Sequence, residues 1–208
     1  MFKGTVYIVD NDSSYQRLIE TRCARAGFKA LTFDTAGGFL AEVQRDTKGC
    51  LIGALDIPEM NGLALHRKLQ SRQLPVPTIL TTVGTNARTC RDVFKSGVFD
   101  LVKKDLGGPA FISIVSRALS LSQKQLDHQN LVEATKKQLA RLSAKELQVA
   151  ERLRHGHSMA EIGRDLRTTP QTISKHRSSI FEKLGVESNV QIYQLFGCLN
   201  RWAAEPMS

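Results

Sequence analysis

The sequence predicts an α/β fold, a doubly wound five-stranded parallel sheet, followed by an all-α domain of four short helices. Three observations carry that expectation. Over residues 1–122, short β-branched runs alternate with stretches of helical period, the pattern of strand–helix–strand units. Residues 117–137 contain no Gly or Pro and many good helix formers, which marks 123–137 as a helical linker. In the remaining domain, 138–208, apolar spacing is helical from residue 142 to 199, with breaks at Gly156, Pro170 and Gly185.

Along the first domain, Thr5–Val9 reads as a buried strand. Ser13 or Ser14 caps a helix carrying Leu18, Ile19, Cys23 and Ala26, and Gly27 ends it. Ala30–Phe33 is the second strand, and Phe39, Leu40 and Val43 mark a second helix. Leu51–Ala54 is the third strand, and Leu63, Leu65 and Leu69 give a helix ended near Pro75. Thr78–Thr82 is the fourth strand, 87–96 a helix and Phe99–Val102 the fifth strand. A last helix opens near Gly108-Pro109 and continues into the linker. Its later apolar points, Leu119, Leu126, Leu131 and Val132, fit a heptad only loosely, so polar linker and coiled coil both stand.

In the second domain Ser143-Ala144-Lys145-Glu146 is a capping box, which satisfies free amides at a helix start. Leu147, Val149, Ala150 and Leu153 form that helix's buried face. Ser158 caps a second helix with Ile162 and Leu166. Thr169 caps a third, Pro170 takes its first position, and Gly185 ends it after Ile173, Ile180, Phe181 and Leu184. Two short helices joined by a tight turn, the second rich in polar and basic residues, make a helix-turn-helix.

The 29 Lys/Arg against 20 Asp/Glu leave a formal charge of +9. Residues 1–122 carry 16 basic and 11 acidic side chains, and residues 123–208 carry 13 and 9, so both parts are basic. Such a balance favours a polyanion partner, because Lys and Arg displace counterions condensed on phosphates. No run approaches the roughly 18 apolar residues of a membrane helix. The N-terminus lacks a secretory signal, so a cytoplasmic protein without membrane contact is expected. Cys23, Cys50, Cys90 and Cys198 form no CxxC pair and read as small hydrophobes. Without a nucleophile–base pair, a Gly-rich phosphate loop or a metal-ligand cluster, neither enzymatic activity nor a cofactor or metal is expected.

Ligands of doubly wound sheets sit beyond the carboxyl ends of the strands. Those ends hold Asp10, Asn11, Asp12, Ala54, Thr82 and Lys104. With Pro58-Glu59-Met60-Asn61-Gly62 after the third strand, residues 3–120 resemble a two-component receiver domain. In that family the proline stands four residues, and the glycine eight, after the aspartate that accepts a phosphoryl group. Counted back from Pro58 and Gly62, both offsets reach Ala54. The resemblance implies paired acids for Mg²⁺, an acceptor, a hydroxyl (Thr82) and a lysine (Lys104). The chain departs from this set at Asn11, at Ala54, at Leu101 in place of an aromatic switch, and at Asp105 in place of proline. A degenerate pseudo-receiver is therefore expected, with neither Asp56 nor Asp12 taking over the acceptor role. Lys104 then pairs with Asp10.

The second domain is similar to LuxR-type DNA-binding domains. Leu142-Ser143, Lys145-Glu146 and Val149, then Gly156, Ser158, Glu161-Ile162 and Leu166, carry the resemblance. It continues through Thr172-Ile173, His176, Ile180 and Lys183-Leu184-Gly185. A receiver followed by this domain resembles NarL/FixJ-type response regulators. The resemblance implies that the third helix enters the major groove of double-stranded DNA, with Ser174, Lys175 and Ser178 facing base edges. Gln171, Thr172 and Arg177 are implied phosphate contacts, and Lys183 and the Lys145 end of the first helix further backbone contacts. His176 supports packing, and Arg167 stands where the family's turn has glycine. The last helix, with Val190, Tyr193 and Phe196 on one stripe, is implied to form a homodimer on paired promoter half-sites.

The expected function is a sequence-specific transcriptional regulator that acts without phosphorylation of Ala54's position. A second expectation is an interaction module, in which a partner protein at the receiver-like domain is another regulator. A third has the pseudo-receiver sensing a ligand or a redox signal.

Overall fold

The computed structural model describes residues 2–58, 60–84 and 86–200. Glu59 of the Pro58–Gly62 turn and residues 201–208 lie outside the described residues. The chain divides into two compact units, 1–127 and 128–208.

The first unit is built from β1 (Thr5–Val9), α1 (Ser13–Ala26), β2 (Lys29–Phe33), α2 (Ala36–Glu42) and β3 (Cys50–Ala54). It continues with α3 (Gly62–Ser71), β4 (Thr78–Thr82), α4 (Ala87–Lys95), β5 (Asp100–Lys103) and the first part of α5 (Gly108–Leu139), which runs past residue 127. The five strands form one parallel sheet in the order β2-β1-β3-β4-β5. Every residue of β3 and β4 is buried, as expected of central parallel strands covered on both faces. On one face, Val6, Ile8, Ile52 and Ile79 pack with Ile19 and Cys23 of α1 and Phe111 and Val115 of α5. On the other, Val9, Leu51 and Ala54 pack with Phe39 of α2 and Leu65 and Leu69 of α3.

Two details differ from the sequence expectation. Asp12, not Ser13 or Ser14, caps α1, because its backbone is extended and its carboxylate accepts from the amides of Ser14 and Tyr15. Leu18 is 42 % exposed and lies off the buried face of α1. Residues 123–137 are helical, as the second half of the 32-residue α5.

The second unit contains α6 (Ala144–Arg154), α7 (Met159–Asp165), α8 (Pro170–Leu184) and α9 (Asn189–Asn200). Val149, Ala150 and Leu153 meet Ile162, Ile173, Ile180, Leu184, Ile192 and Phe196 in one core. Leu147, expected inside, is exposed. The start of α8 follows its sequence signals, with Thr169 accepting from the amide of Thr172 and Pro170 in the first turn. At its end Gly185 adopts the left-handed conformation. Among the described residues no helix is long and apolar enough to cross a membrane.

Candidate functional site

Candidate functional residues gather at the carboxyl end of the sheet in the first unit and on the exposed face of α8 in the second.

At the sheet end Asp10 is buried, and both of its carboxylate oxygens face the Lys104 ammonium. The ammonium of Lys104 lies 2.7 Å from Oδ2 and 3.0 Å from Oδ1. The amide of Asp12 donates to Oδ1 at 2.9 Å. Lys104 also stands over the ring of Tyr15, 4.6 Å from its centroid, a cation–π contact. Burial, followed by the Asp10 charge, pushes the Tyr15 phenol up to about 12. The side-chain amide of Gln16 donates to the Asp10 carbonyl and to the Asp34 carboxylate, fixing the loop after β1.

The other expected pocket residues do not converge on this pair. Ala54 ends β3, and its methyl group is buried among Val9, Ala36, Phe39 and Ile57. The Thr82 hydroxyl donates to the Gly84 carbonyl at 2.8 Å. Asn11 and Asp56 are exposed. Asp12 is committed to its cap, and the amide of Tyr15 above all holds its carboxyl below the usual range. A Mg²⁺ ion bound in the manner of a receiver draws on carboxylate oxygens. These residues do not fit one: Asp10 is neutralised by Lys104, position 11 offers only an amide and position 54 only a methyl. Among the described residues no group of three or more His, Cys, Asp or Glu side chains converges as metal ligands.

The motif that points to Ala54 has a reason in the backbone. A Cβ on Gly62 would stand 2.5 Å from the Ala54 carbonyl oxygen and 2.8 Å from Leu80. The Gly62 amide donates to the Leu55 carbonyl at 3.1 Å, closing the loop after β3. Glycine is therefore required for the approach of α3 to β3, whatever residue stands at 54.

In the second unit Glu146 does more than complete its capping box. Oε2 accepts from the Ser143 amide at 2.7 Å, while Ser179 and Lys183 of α8 donate to Oε1 at 2.7 and 2.8 Å. Lys183 also donates to Oε2, at 2.7 Å. Lys183, Ser143 and Ser179, in that order, hold the Glu146 carboxyl down to about 2. This cluster ties the start of α6 to the last turns of α8. The sequence signal was the spacing of Ser179 and Lys183, four apart on one helix face, and sequence reasoning missed it.

Gln171, Ser174, Lys175 and Ser178 are exposed along α8, while Thr172 is half-buried, its hydroxyl 3.0 Å from that of Thr169. Two expected backbone contacts are occupied within the unit. Arg177 stacks on Phe181 at 4.1 Å from the ring centroid and donates to Asn189 at 3.3 Å, and Lys183 sits on Glu146. Arg167, in the turn between α7 and α8, holds φ 52°, so the left-handed turn is kept without glycine. Gly163 is needed nearby, since a Cβ there would meet the Thr168 carbonyl at 2.9 Å.

The expected stripe on α9 is only partly exposed. Val190 and Tyr193 are 64 % and 62 % exposed, but Phe196 is 6 % exposed and belongs to the core. The Arg154 guanidinium covers its ring at 4.7 Å. Ile192 and Phe196, four apart, form the inner face, and that excludes Phe196 from an outer one.

A doubly wound sheet with Asp10, Lys104 and Ala54 at its carboxyl end, joined to a helix-turn-helix unit, defines a two-part regulator. The response regulator receiver domain family matches residues 6–116, and the luxR family of bacterial regulatory proteins matches residues 140–196. The chain belongs to the response regulators and carries a LuxR-type DNA-binding domain. It is 28 % identical over 185 residues to the transcriptional regulatory protein TdiR of Thauera aromatica, covering 89 % of this chain and 82 % of TdiR. It is 24 % identical over 193 residues to the transcriptional regulatory protein FixJ of Bradyrhizobium diazoefficiens, covering 93 % and 94 % of the two chains. The solved structure of the response regulator StyR shares the fold, with a TM-score of 0.79 at 24 % identity over 93 % of this chain and 98 % of that one.

Proposed function

We propose that the chain is a sequence-specific transcriptional regulator, homodimeric on paired DNA half-sites, whose control bypasses phosphorylation of its own receiver-like domain. The observation that carries this reading is Ala54 at the end of β3 beside the Lys104–Asp10 ion pair. A methyl group cannot attack a phosphoryl donor, and the lysine that would bind the phosphoryl group is already neutralised.

The DNA half of the reading rests on α8. Lys175 donates to guanine acceptors in the major groove, and Ser174 and Ser178 make less selective base contacts. Gln171 and Thr172, at the helix start, meet phosphate. Arg177 and Lys183 act through packing, since each is held within the unit. Val190 and Tyr193 supply the exposed face of α9 for the second copy.

The test is affinity of the full chain for a native promoter site, with and without beryllofluoride and Mg²⁺. An unchanged Kd is expected. A tightening of tenfold or more, on the order of 1.4 kcal/mol, would overturn phosphorylation-independent control.

A further inference from the structure

We propose that the receiver-like unit itself makes a second contact with the DNA backbone, through a basic stripe on α4 formed by Arg88, Arg91 and Lys95. The inference rests on the reading that the chain holds double-stranded DNA. At about 100° per residue, the three side chains fall within roughly 60° of arc. Val93, fully buried against Leu55 and Leu80, lies on the opposite side of the helix. All three cations are exposed. Among the described residues no ion pair joins any of the three to an acid, although Asp92 stands beside the stripe, about 40° from Arg88, and leaves the face a net charge of +2; Asp100 lies 3.7 Å from Arg117.

The charge of the first unit points the same way. Residues 1–122 carry 16 Lys/Arg against 11 Asp/Glu, and Asp10 is internally neutralised by Lys104. A two-fold pairing of α4 with α4 would set two stripes of like charge against each other, which disfavours a second copy of this chain as the occupant. An acidic protein would suit the charge as well. DNA is favoured because the helix-turn-helix unit of the same chain tethers α4 to that polymer at high effective concentration, where even weak phosphate contacts add to affinity. Such contacts are independent of sequence and read out as salt dependence.

The experiment measures binding of the full chain to a random duplex between about 50 and 200 mM salt. It compares the wild type with R88Q/R91Q/K95Q and with K29Q/R67Q/K68Q, which removes three exposed cations elsewhere on the same unit. Gln is a good helix former and all substituted positions are exposed, so far-UV circular dichroism is expected to be unchanged. The slope of log K against log salt is expected to become shallower by about 2–3 per bound protomer for the α4 variant, at ~0.9 per phosphate contact, and to stay constant for the control. Should the triple variant not fold, R91Q alone is expected to change the slope by about 0.9. Wild-type binding with an unchanged slope in the α4 variant overturns the contact and leaves the helix-turn-helix reading intact. An equal change in the control also overturns it, because net charge alone would then explain the effect. Absence of any DNA binding by the wild type overturns both.

Discussion

The ammonium of Lys104 lies 2.7 Å from Oδ2 of Asp10, at a sheet end where the neighbouring strand stops at the methyl group of Ala54. A carboxylate that is 1 % exposed needs a partner. Lys104 supplies it, and Tyr15 beneath the ammonium helps to hold it there.

Removing either partner strands the other. Lys104→Ala is expected to lower the stability of the first unit by about 2–4 kcal/mol, less than for a wholly buried pair because the lysine is partly solvated. Asp10→Asn combined with Lys104→Ala is expected to cost less than the two single changes added together. Urea unfolding checks both. A Lys104→Ala variant within ~0.5 kcal/mol of the wild type would mean that the pair holds nothing together.

The Glu146 cluster gives a pH signature. Because its folded carboxyl titrates at about 2, below the ordinary carboxylate range, the stabilisation is fully present above the unfolded value. It is lost as pH falls toward the folded one. Glu146→Gln is expected to destabilise the second unit by about 1–3 kcal/mol at neutral pH. The difference from the wild type then narrows steadily below about pH 4.5. A gap that persists undiminished near pH 2.5 would place the stabilisation elsewhere.

Lys175 is exposed on α8 with no partner among the described residues. Lys175→Ala is expected to weaken binding to a native promoter site by about 1–3 kcal/mol, and binding to random DNA by less. Competition binding decides the matter. Equal losses on both would assign Lys175 to phosphate and base reading to other residues.

Arg167 holds a left-handed backbone at φ 52°, a conformation that costs a residue with a Cβ about 1–2 kcal/mol. Arg167→Gly relieves that strain but adds disorder to the unfolded chain, so a net gain of up to about 1 kcal/mol is expected. Thermal unfolding of the full chain reads it. A loss of stability would show that the arginine side chain makes an offsetting contact.

Local chemistry made much of this molecule legible before its structure. The start of α8 follows from Thr169 and Pro170 and its end from Gly185, because caps depend on a few adjacent residues. The strands showed in their β-branched runs, and their parallel direction followed from alternation with helices, whereas their order in the sheet did not. Partnerships across the fold were harder to read. Glu146 was visible as a cap but not as the acceptor for Ser179 and Lys183, which lie more than 30 residues away. Phe196 shares a helical stripe with Val190 and Tyr193 by period alone, yet periodicity does not say which side of α9 meets Ile162 and Ile173. Asp12, Ser13 and Ser14 are all good caps, and only the extended backbone at Asp12 distinguishes them. The pairing of Lys104 with Asp10 was foreseeable because the carboxyl ends of parallel strands lie along one edge of the sheet.

The most direct test of a phosphorylation-free receiver is the intact mass of the full chain after incubation with acetyl phosphate and Mg²⁺. The mass is expected to stay that of the unmodified protein. Stoichiometric addition of one phosphoryl group, on Asp56 or any other residue of the first unit, would contradict it.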